Sequence, residues 1–207
     1  MSPPSGYFQN LRPEMIPFLP DDYARVLEIG CGEGRFSDNL KSGSEVWGIE
    51  PDGDALAAAP GKLHRVLAGR YEDVHGELPE SHFDLVICND VIEHMEDHDR
   101  FFRSIRSKIA PGGSLVASIP NVRYVRNLFR LIVRKEWEYE DDGVLDRTHL
   151  RFFTEKSLKR CLIRHGFEIA KFGGINRSTK AAPVALLSLG YCADVQFLQF
   201  GFRAVSR

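Results

Sequence analysis

The residues NDVIEHMEDH, positions 89 to 98, follow directly on the largely apolar run FDLVIC. Asp90, Glu93 and His94 stand there at i, i+3 and i+4, a spacing that brings side chains to one side of a helical turn. Two carboxylates and an imidazole on one side can hold a divalent cation or pass a proton. A further imidazole, His149, lies in LDRTHLRFFT, a polar loop ahead of a helix that Thr154 would cap. Three readings stay open: a metal site at Asp90, Glu93, His94 and His149; metal-free general-base catalysis by His149 or His94; and an ordinary polar helix start around Glu96, Asp97 and His98.

Such a group needs a scaffold, and the chain offers one. ARVLEIG (24–30), EVWGIEP (45–51), KLHRVLAG (62–69), FDLVICN (83–89) and GSLVASIP (113–120) are short apolar or β-branched runs closed by turn residues or an acid. Helix-length stretches lie between most of them (34–42, 52–58 and 97–109). That alternation predicts an α/β, doubly wound sheet, mostly parallel. PGG at 111–113 reads as a stop before the fifth strand. Beyond Pro120 the sequence predicts an amphipathic helix (121–135), an acidic irregular stretch (136–147), a helix (154–165) and two closing strands, the last antiparallel. The chain, 1–207, reads as a single domain with a substrate-side insertion around 121–153.

The first strand ends in VLEIGCGEGRF, with Glu28, Gly30, Gly32 and Gly34. A dinucleotide fingerprint starting at Gly30 would need glycine where Arg35 stands, which weakens a pyrophosphate reading. The spacing E-x-G-x-G-x-G, with Glu50 closing the second strand, resembles the first two motifs of class I S-adenosylmethionine-dependent methyltransferases, and the likeness extends over nearly the whole chain. It implies a Rossmann-like seven-stranded sheet and S-adenosylmethionine as cofactor. The glycines and Asn89 would lie against its methionine part, Glu50 with Pro51 at the ribose hydroxyls. Families of this kind often carry an acid after the third strand to bind the adenine; AGRYEDV has Arg70 there, leaving Tyr71, Glu72 or a backbone group for that contact.

The closest flavour is that of small methyltransferases beside polysaccharide functions and of ubiquinone-biosynthesis O-methyltransferases. D-x-x-E-H with a distant T-H also resembles the metal constellation of small-RNA terminal 2′-O-methyltransferases. By resemblance, then, Asp90, Glu93, His94 and His149 would hold Mg²⁺, Mn²⁺ or a similar ion. The expected reaction is O-methylation of a sugar or glycan hydroxyl. The alternatives are a quinone-precursor catechol, an RNA terminal ribose, or a cofactor-binding subunit without catalysis.

Arg123, Arg126, Arg130 and Arg134 recur at offsets of three, seven and eleven, so they share a helix face, with Leu128, Leu131 and Ile132 toward the protein. The row is either solvated or a site for an anionic carrier or membrane surface; the acids after it are either a lid or its counter-charge. The 27 basic against 29 acidic side chains leave no global basic field, so no DNA partner is expected. Four dispersed cysteines without a C-x-x-C pair suit a reducing compartment. The start MSPPSGYFQN has no signal-peptide pattern, and the apolar run 181–191 is interrupted by Pro183, so a cytoplasmic location is expected. His64, His75, His82 and His165 read as surface or packing residues.

Overall fold

The apolar runs become strands. In the computed structural model, which describes residues 11–57, 61, 63–179 and 186–206, these are β1 (Arg25–Ile29), β2 (Glu45–Glu50), β3 (Arg65–Ala68), β4 (Phe83–Asn89), β5 (Ile109–Pro120), β6 (Phe167–Arg177) and β7 (Phe197–Ser206). The α-helices are α1 (Gly53–Ala57), α2 (Tyr71–Val74), α3 (His98–Lys108), α4 (Val125–Phe129) and α5 (Glu155–Arg164). The strands form one sheet in the order β3-β2-β1-β4-β5-β7-β6. β1 to β5 pair in parallel, and β7 runs antiparallel between β5 and β6. This is the Rossmann-like α/β architecture expected, with its antiparallel last strand.

Burial explains the sequence pattern. β4 is covered on both faces, and Phe83, Leu85, Val86, Ile87 and Cys88 are fully inaccessible, hence a continuous apolar run in place of alternation. One core packs α2, α3 and α5 on the sheet through Tyr71, Phe101, Phe102, Leu158 and Leu162. The other is built from Met15 and Phe18 of a 3₁₀ turn (Pro13–Phe18), with Phe36 of a second 3₁₀ turn, against Val26, Leu85 and Ile87.

Several expectations need correction. The helix foreseen over 34–42 is only the 3₁₀ turn Arg35–Asn39. The Ser37 hydroxyl and amide both donate to the Gly34 carbonyl, an acceptor that an α-helical ladder would use four residues on. Pro111, Gly112 and Gly113 do not precede β5 but bulge within it, since Phe83 pairs with Ile109 and Leu85 with Ser114. Gly112 has φ +77°, and a Cβ on Gly113 would come within 2.9 Å of the Phe83 carbonyl oxygen, so the bulge demands both glycines.

The helix expected over 121–135 starts late and breaks early. Asn121 gives its side-chain amide to the carbonyls of Asp194 and Phe197 and accepts from the Arg123 amide, which holds the chain in a turn before α4. After α4 comes a π-helical turn (Arg130–Arg134), closed by Lys135 at φ 59°. Leu131 and Ile132 consequently face solvent, not the protein. α5 begins as foreseen, with Thr154 and Ser157 in a reciprocal capping box.

Among the described residues no helix is long and apolar enough to cross a membrane. Residues 1–10 and 180–185, on which the readings of the leader and of part of the apolar run rest, lie outside the described residues.

Candidate active site

The strand order reverses between β1 and β4, and in open α/β sheets ligands bind outside the carboxyl ends of strands at such a point. A cleft of ≈ 930 Å³ opens there. Glu28, Gly30 and Gly32 line it from the end of β1, Glu50 and Pro51 from β2, Tyr71 and Glu72 from the start of α2, and Asn89 from the end of β4.

The glycines serve geometry. Gly30, Gly32 and Gly34 have φ of 72°, 50° and 70°, the left-handed region that favours glycine. A Cβ on Gly30 would also strike Val91 Cγ2 at 2.7 Å. Gly34 does not line the cleft; it heads the turn Arg35–Asn39, so its role as a cofactor contact is corrected to that of a turn residue.

Glu50 is held in place by main chain: Oε2 accepts from the Gly32 amide at 2.9 Å and Oε1 from the Asp52 amide at 3.0 Å. Burial raises its pKa, while these two amides oppose the rise. Each oxygen keeps a second lone pair, so two neighbouring hydroxyls can still be accepted. Glu28 is buried with Oε2 unpartnered; burial, then the charge of Glu50, pushes its carboxyl up to about 8. Asn89 leaves both side-chain amide atoms buried without a partner. Buried polar groups are seldom left unpaired, so these residues suit a polar ligand in the cleft. Tyr71 is different. Its hydroxyl bonds Ser104 at 2.8 Å and its ring packs edge-on against Phe101, so the hydroxyl expected at the adenine is already engaged. Glu72 is exposed beside Arg70 and Asp73, at the cleft's rim.

At the other end of the cleft the helical turn assumed for residues 90–95 does not form. Asp90 is left-handed at φ 56°, and only Ile92–His94 makes a 3₁₀ turn. The Asp90 carboxylate accepts from Arg12, from Gln199 Nε2 at 2.7 Å and from Ser118 Oγ at 2.6 Å. It is not among the groups within ligating distance of one another, and these bonds tie it to β5 and β7, so Asp90 is corrected from metal ligand to anchor of the strand ends. Arg12, which also lines the cleft, was invisible to motif reasoning because it meets Asp90 from 78 residues away.

Glu93, His94 and His149 do come together: one ligating atom from each lies within 4.8 Å of the others. The Glu93 side chain is fully buried and neither oxygen has a hydrogen-bond partner. His149 Nε2 is 3.9 Å from Glu93 Oε1, beyond hydrogen-bond reach. His149 Nδ1 donates to the Val144 carbonyl at 3.0 Å, and His94 Nδ1 faces the Thr148 carbonyl at 3.2 Å. A carbonyl only accepts, so in the neutral rings both Nε2 atoms keep their lone pairs. Burial, then His149, lowers the pKa of His94, while burial, then Asp90, holds Glu93 well above the carboxylate range. His94 and Thr148 line the cleft, whereas Glu93 and His149 lie behind them. The amides of Leu150 and Arg151 both donate to the Glu93 carbonyl, at 2.8 and 3.0 Å, joining the two loops through main chain.

The arginine row is not free. Arg123 clasps Asp194 at 2.6 Å, Arg126 and Arg130 share Glu140 at 2.9 and 2.7 Å, and Arg134 lies over the Phe129 ring. Of the two roles considered for the acidic stretch, Glu140 takes that of counter-charge.

A mostly parallel sheet with an antiparallel closing strand, a glycine loop at its switch point and an acid ending β2 define a nucleoside-cofactor fold, and the comparisons specify it. Residues 6–171 match the family described as a methyltransferase domain. Over 192 residues the chain is 29% identical to the ubiquinone biosynthesis O-methyltransferase of Aromatoleum aromaticum, covering 88% of this chain and 79% of that one. The protein of the same name from Nitrosospira multiformis is 30% identical over 191 residues, 86% and 75% of the two chains. A solved S-adenosylmethionine-dependent methyltransferase from Archaeoglobus fulgidus shares the fold with a TM-score of 0.69 at 21% identity, over 96% of this chain and 92% of that one. The chain belongs to the class I S-adenosylmethionine-dependent methyltransferases, and is an enzyme of that class.

Proposed function

We propose that this enzyme methylates a phenolic hydroxyl that has a second oxygen beside it, a catechol-like quinone precursor, with a divalent cation at Glu93, His94 and His149. The observation that carries this reading is the Glu93 carboxylate, buried without a hydrogen bond beside two imidazoles that pack edge-on at 4.7 Å. A bare carboxylate in such a place is costly, and a cation among the three groups offsets the cost. The relatives' names favour the quinone class. The glycan hydroxyl expected from the sequence finds no support in them, and the catechol takes its place.

One carboxylate and two imidazoles suit Mn²⁺ or a similar ion better than Mg²⁺. When bound, such an ion supplies Lewis acidity that lowers the pKa of a hydroxyl on it. The protein's part is positioning. The carbonyls of Val144 and Thr148 fix which imidazole nitrogens remain available, and burial, which lowers the pKa of His94, favours its neutral ring. Glu50, Asn89 and the glycine loop would hold the cofactor, which supplies the methyl group, and a fixed orientation toward the acceptor would contribute several kcal/mol.

The test is turnover of S-adenosylmethionine with catechol, sugar and RNA acceptors before and after chelation. The expected result is methylation of the catechol, lost on chelation and restored by Mn²⁺ or Mg²⁺. Full activity after exhaustive chelation removes the metal, and preference for sugar or RNA removes the catechol. The proposal keeps a cytoplasmic location and an anionic carrier or membrane surface near the π-helical turn, where exposed Leu131, Ile132 and Val133 adjoin Arg134 and Lys135.

A further inference from the structure

A second group of metal-binding side chains lies between the start of α3 and the end of α5, outside the cleft. Ligating atoms of His98, Asp99 and Cys161 lie within 4.8 Å of one another. His165, read from the sequence as a packing residue, stands beside this group without one nitrogen within that spacing of all three: its Nε2 is 3.2 Å from Asp99 Oδ1 and its Nδ1 is 3.8 Å from Cys161 Sγ, so a turn of its ring would bring it in as a fourth donor. His98 Nε2 is 3.6 Å from that same oxygen.

The tautomer of His165 is informative. Its Nδ1 is 2.8 Å from the Cys161 carbonyl, which can only accept, so Nδ1 carries the proton. In the neutral ring Nε2 then points a lone pair at a carboxylate oxygen within hydrogen-bond distance. Two acceptors face each other, a contact that is favourable only with a proton or a cation between them.

We propose that His98, Asp99, Cys161 and His165 form a Zn²⁺ site that clips α3 to α5. Two imidazoles, a thiolate and a carboxylate make the borderline-soft, four-donor set that zinc prefers. At ordinary zinc bond lengths of about 2.0 to 2.3 Å, donors in a tetrahedron stand roughly 3.3 to 3.8 Å apart. The two separations to Asp99 Oδ1, 3.2 and 3.6 Å, lie near that spacing, and the other donors would close in on the ion. Cys161 is buried, and zinc takes sulfur as thiolate, so binding would release the thiol's proton. Arg164 now donates to Asp99 Oδ1 at 2.6 Å; its mostly exposed side chain releases that oxygen into water.

The position gives the clip a purpose. α3 follows the loop bearing Glu93 and His94, and α5 follows the loop bearing His149. An ion joining the two helices fixes the spacing of the loops that hold the acceptor. The site does not depend on the proposed reaction, because it shares no residue with the cleft.

Co²⁺ substitution tests it on the full chain. A thiolate-to-cobalt charge-transfer band in the near ultraviolet, with the strong visible bands of four-coordinate cobalt, is expected at one equivalent. No sulfur belongs to the Glu93 group, so the band reports this site whatever happens there. Cys161→Ser should abolish it and Cys192→Ser should keep it; Cys161→Ala serves should Cys161→Ser fail to fold. Zn²⁺ should also raise the Tm of the parent more than that of His165→Gln. No thiolate band, a band that survives loss of the Cys161 sulfur, or equal Tm shifts in parent and His165→Gln would overturn the proposal.

Discussion

The two ends of the cleft are built differently. At the cofactor end, Glu28 to Asn89 arrive in chain order from the tips of adjacent parallel strands, and main-chain amides fix the main anchor, Glu50. At the acceptor end, Arg12, Asp90, Glu93, His94 and His149 come from three distant stretches; main-chain bonds to the Glu93 carbonyl join two of the loops, but the reactive groups themselves meet only through side chains. A site set by strand ends is as rigid as the sheet. A site set by side chains is as reliable as each partner, so one substitution should change chemistry there without disturbing the cofactor.

The strongest test of that contrast is at Glu93 and His149. Glu93→Ala and His149→Ala should each lower turnover on the order of 10²- to 10⁴-fold, with little further loss in the double variant, while calorimetry finds cofactor affinity within about twofold of the parent. A matching loss of cofactor binding would show that the two ends are not independent.

At the cofactor end the largest effect is one of stability and pH. The folded-state pKa of Glu28 is raised to about 8, so the folded protein keeps a proton that the unfolded chain releases. Its contribution is full below the unfolded carboxylate value and is lost as pH rises to about 8, a decline on the order of a few kcal/mol. Urea unfolding without cofactor should show that decline, and Glu28→Gln should flatten it. Next, Glu50→Ala should weaken cofactor binding by about 1 to 3 kcal/mol and leave the acceptor's KM unchanged at saturating cofactor. Unchanged cofactor affinity would remove Glu50 from the ribose.

The smallest effects belong to the arginine row. Arg126 is exposed, whereas Arg130 and Glu140 are largely buried, so reversing Arg126 to Glu should change stability by less than about 1 kcal/mol and reversing Arg130 as well should cost more. If a membrane surface is the partner, Leu131→Ser with Ile132→Ser should release the protein from anionic vesicles more than that reversal does, by cosedimentation. Equal release would return the role to the arginines.

The same contrast explains what could be read from the sequence. The sheet was legible because FDLVICN and its counterparts are strands with no competing period, and the cofactor end because Gly30, Gly32 and Glu50 occupy strand tips. Glu93, His94 and His149 were legible as a group by resemblance. Asp90 was misplaced because i, i+3, i+4 spacing presumes a helix that its positive φ denies. Gly34 shares the spacing of its neighbours but turns the chain instead of facing the cleft. The face of Leu131 and Ile132 could not be foreseen either, since a π-helical turn changes the period on which the face depends. Arg12 had no local signal at all.

The double main-chain bond to the Glu93 carbonyl bears on redesign. Leu150 and Arg151 bind the peptide, not the carboxylate, so the distance between the two loops is encoded without reference to what residue 93 carries. Chemical identity and placement are thereby separable at this one position. A library at residue 93, with His, Asp, Gln and Cys, therefore explores ion preference and acceptor choice on a constant frame, and its members should differ in reactivity far more than in architecture.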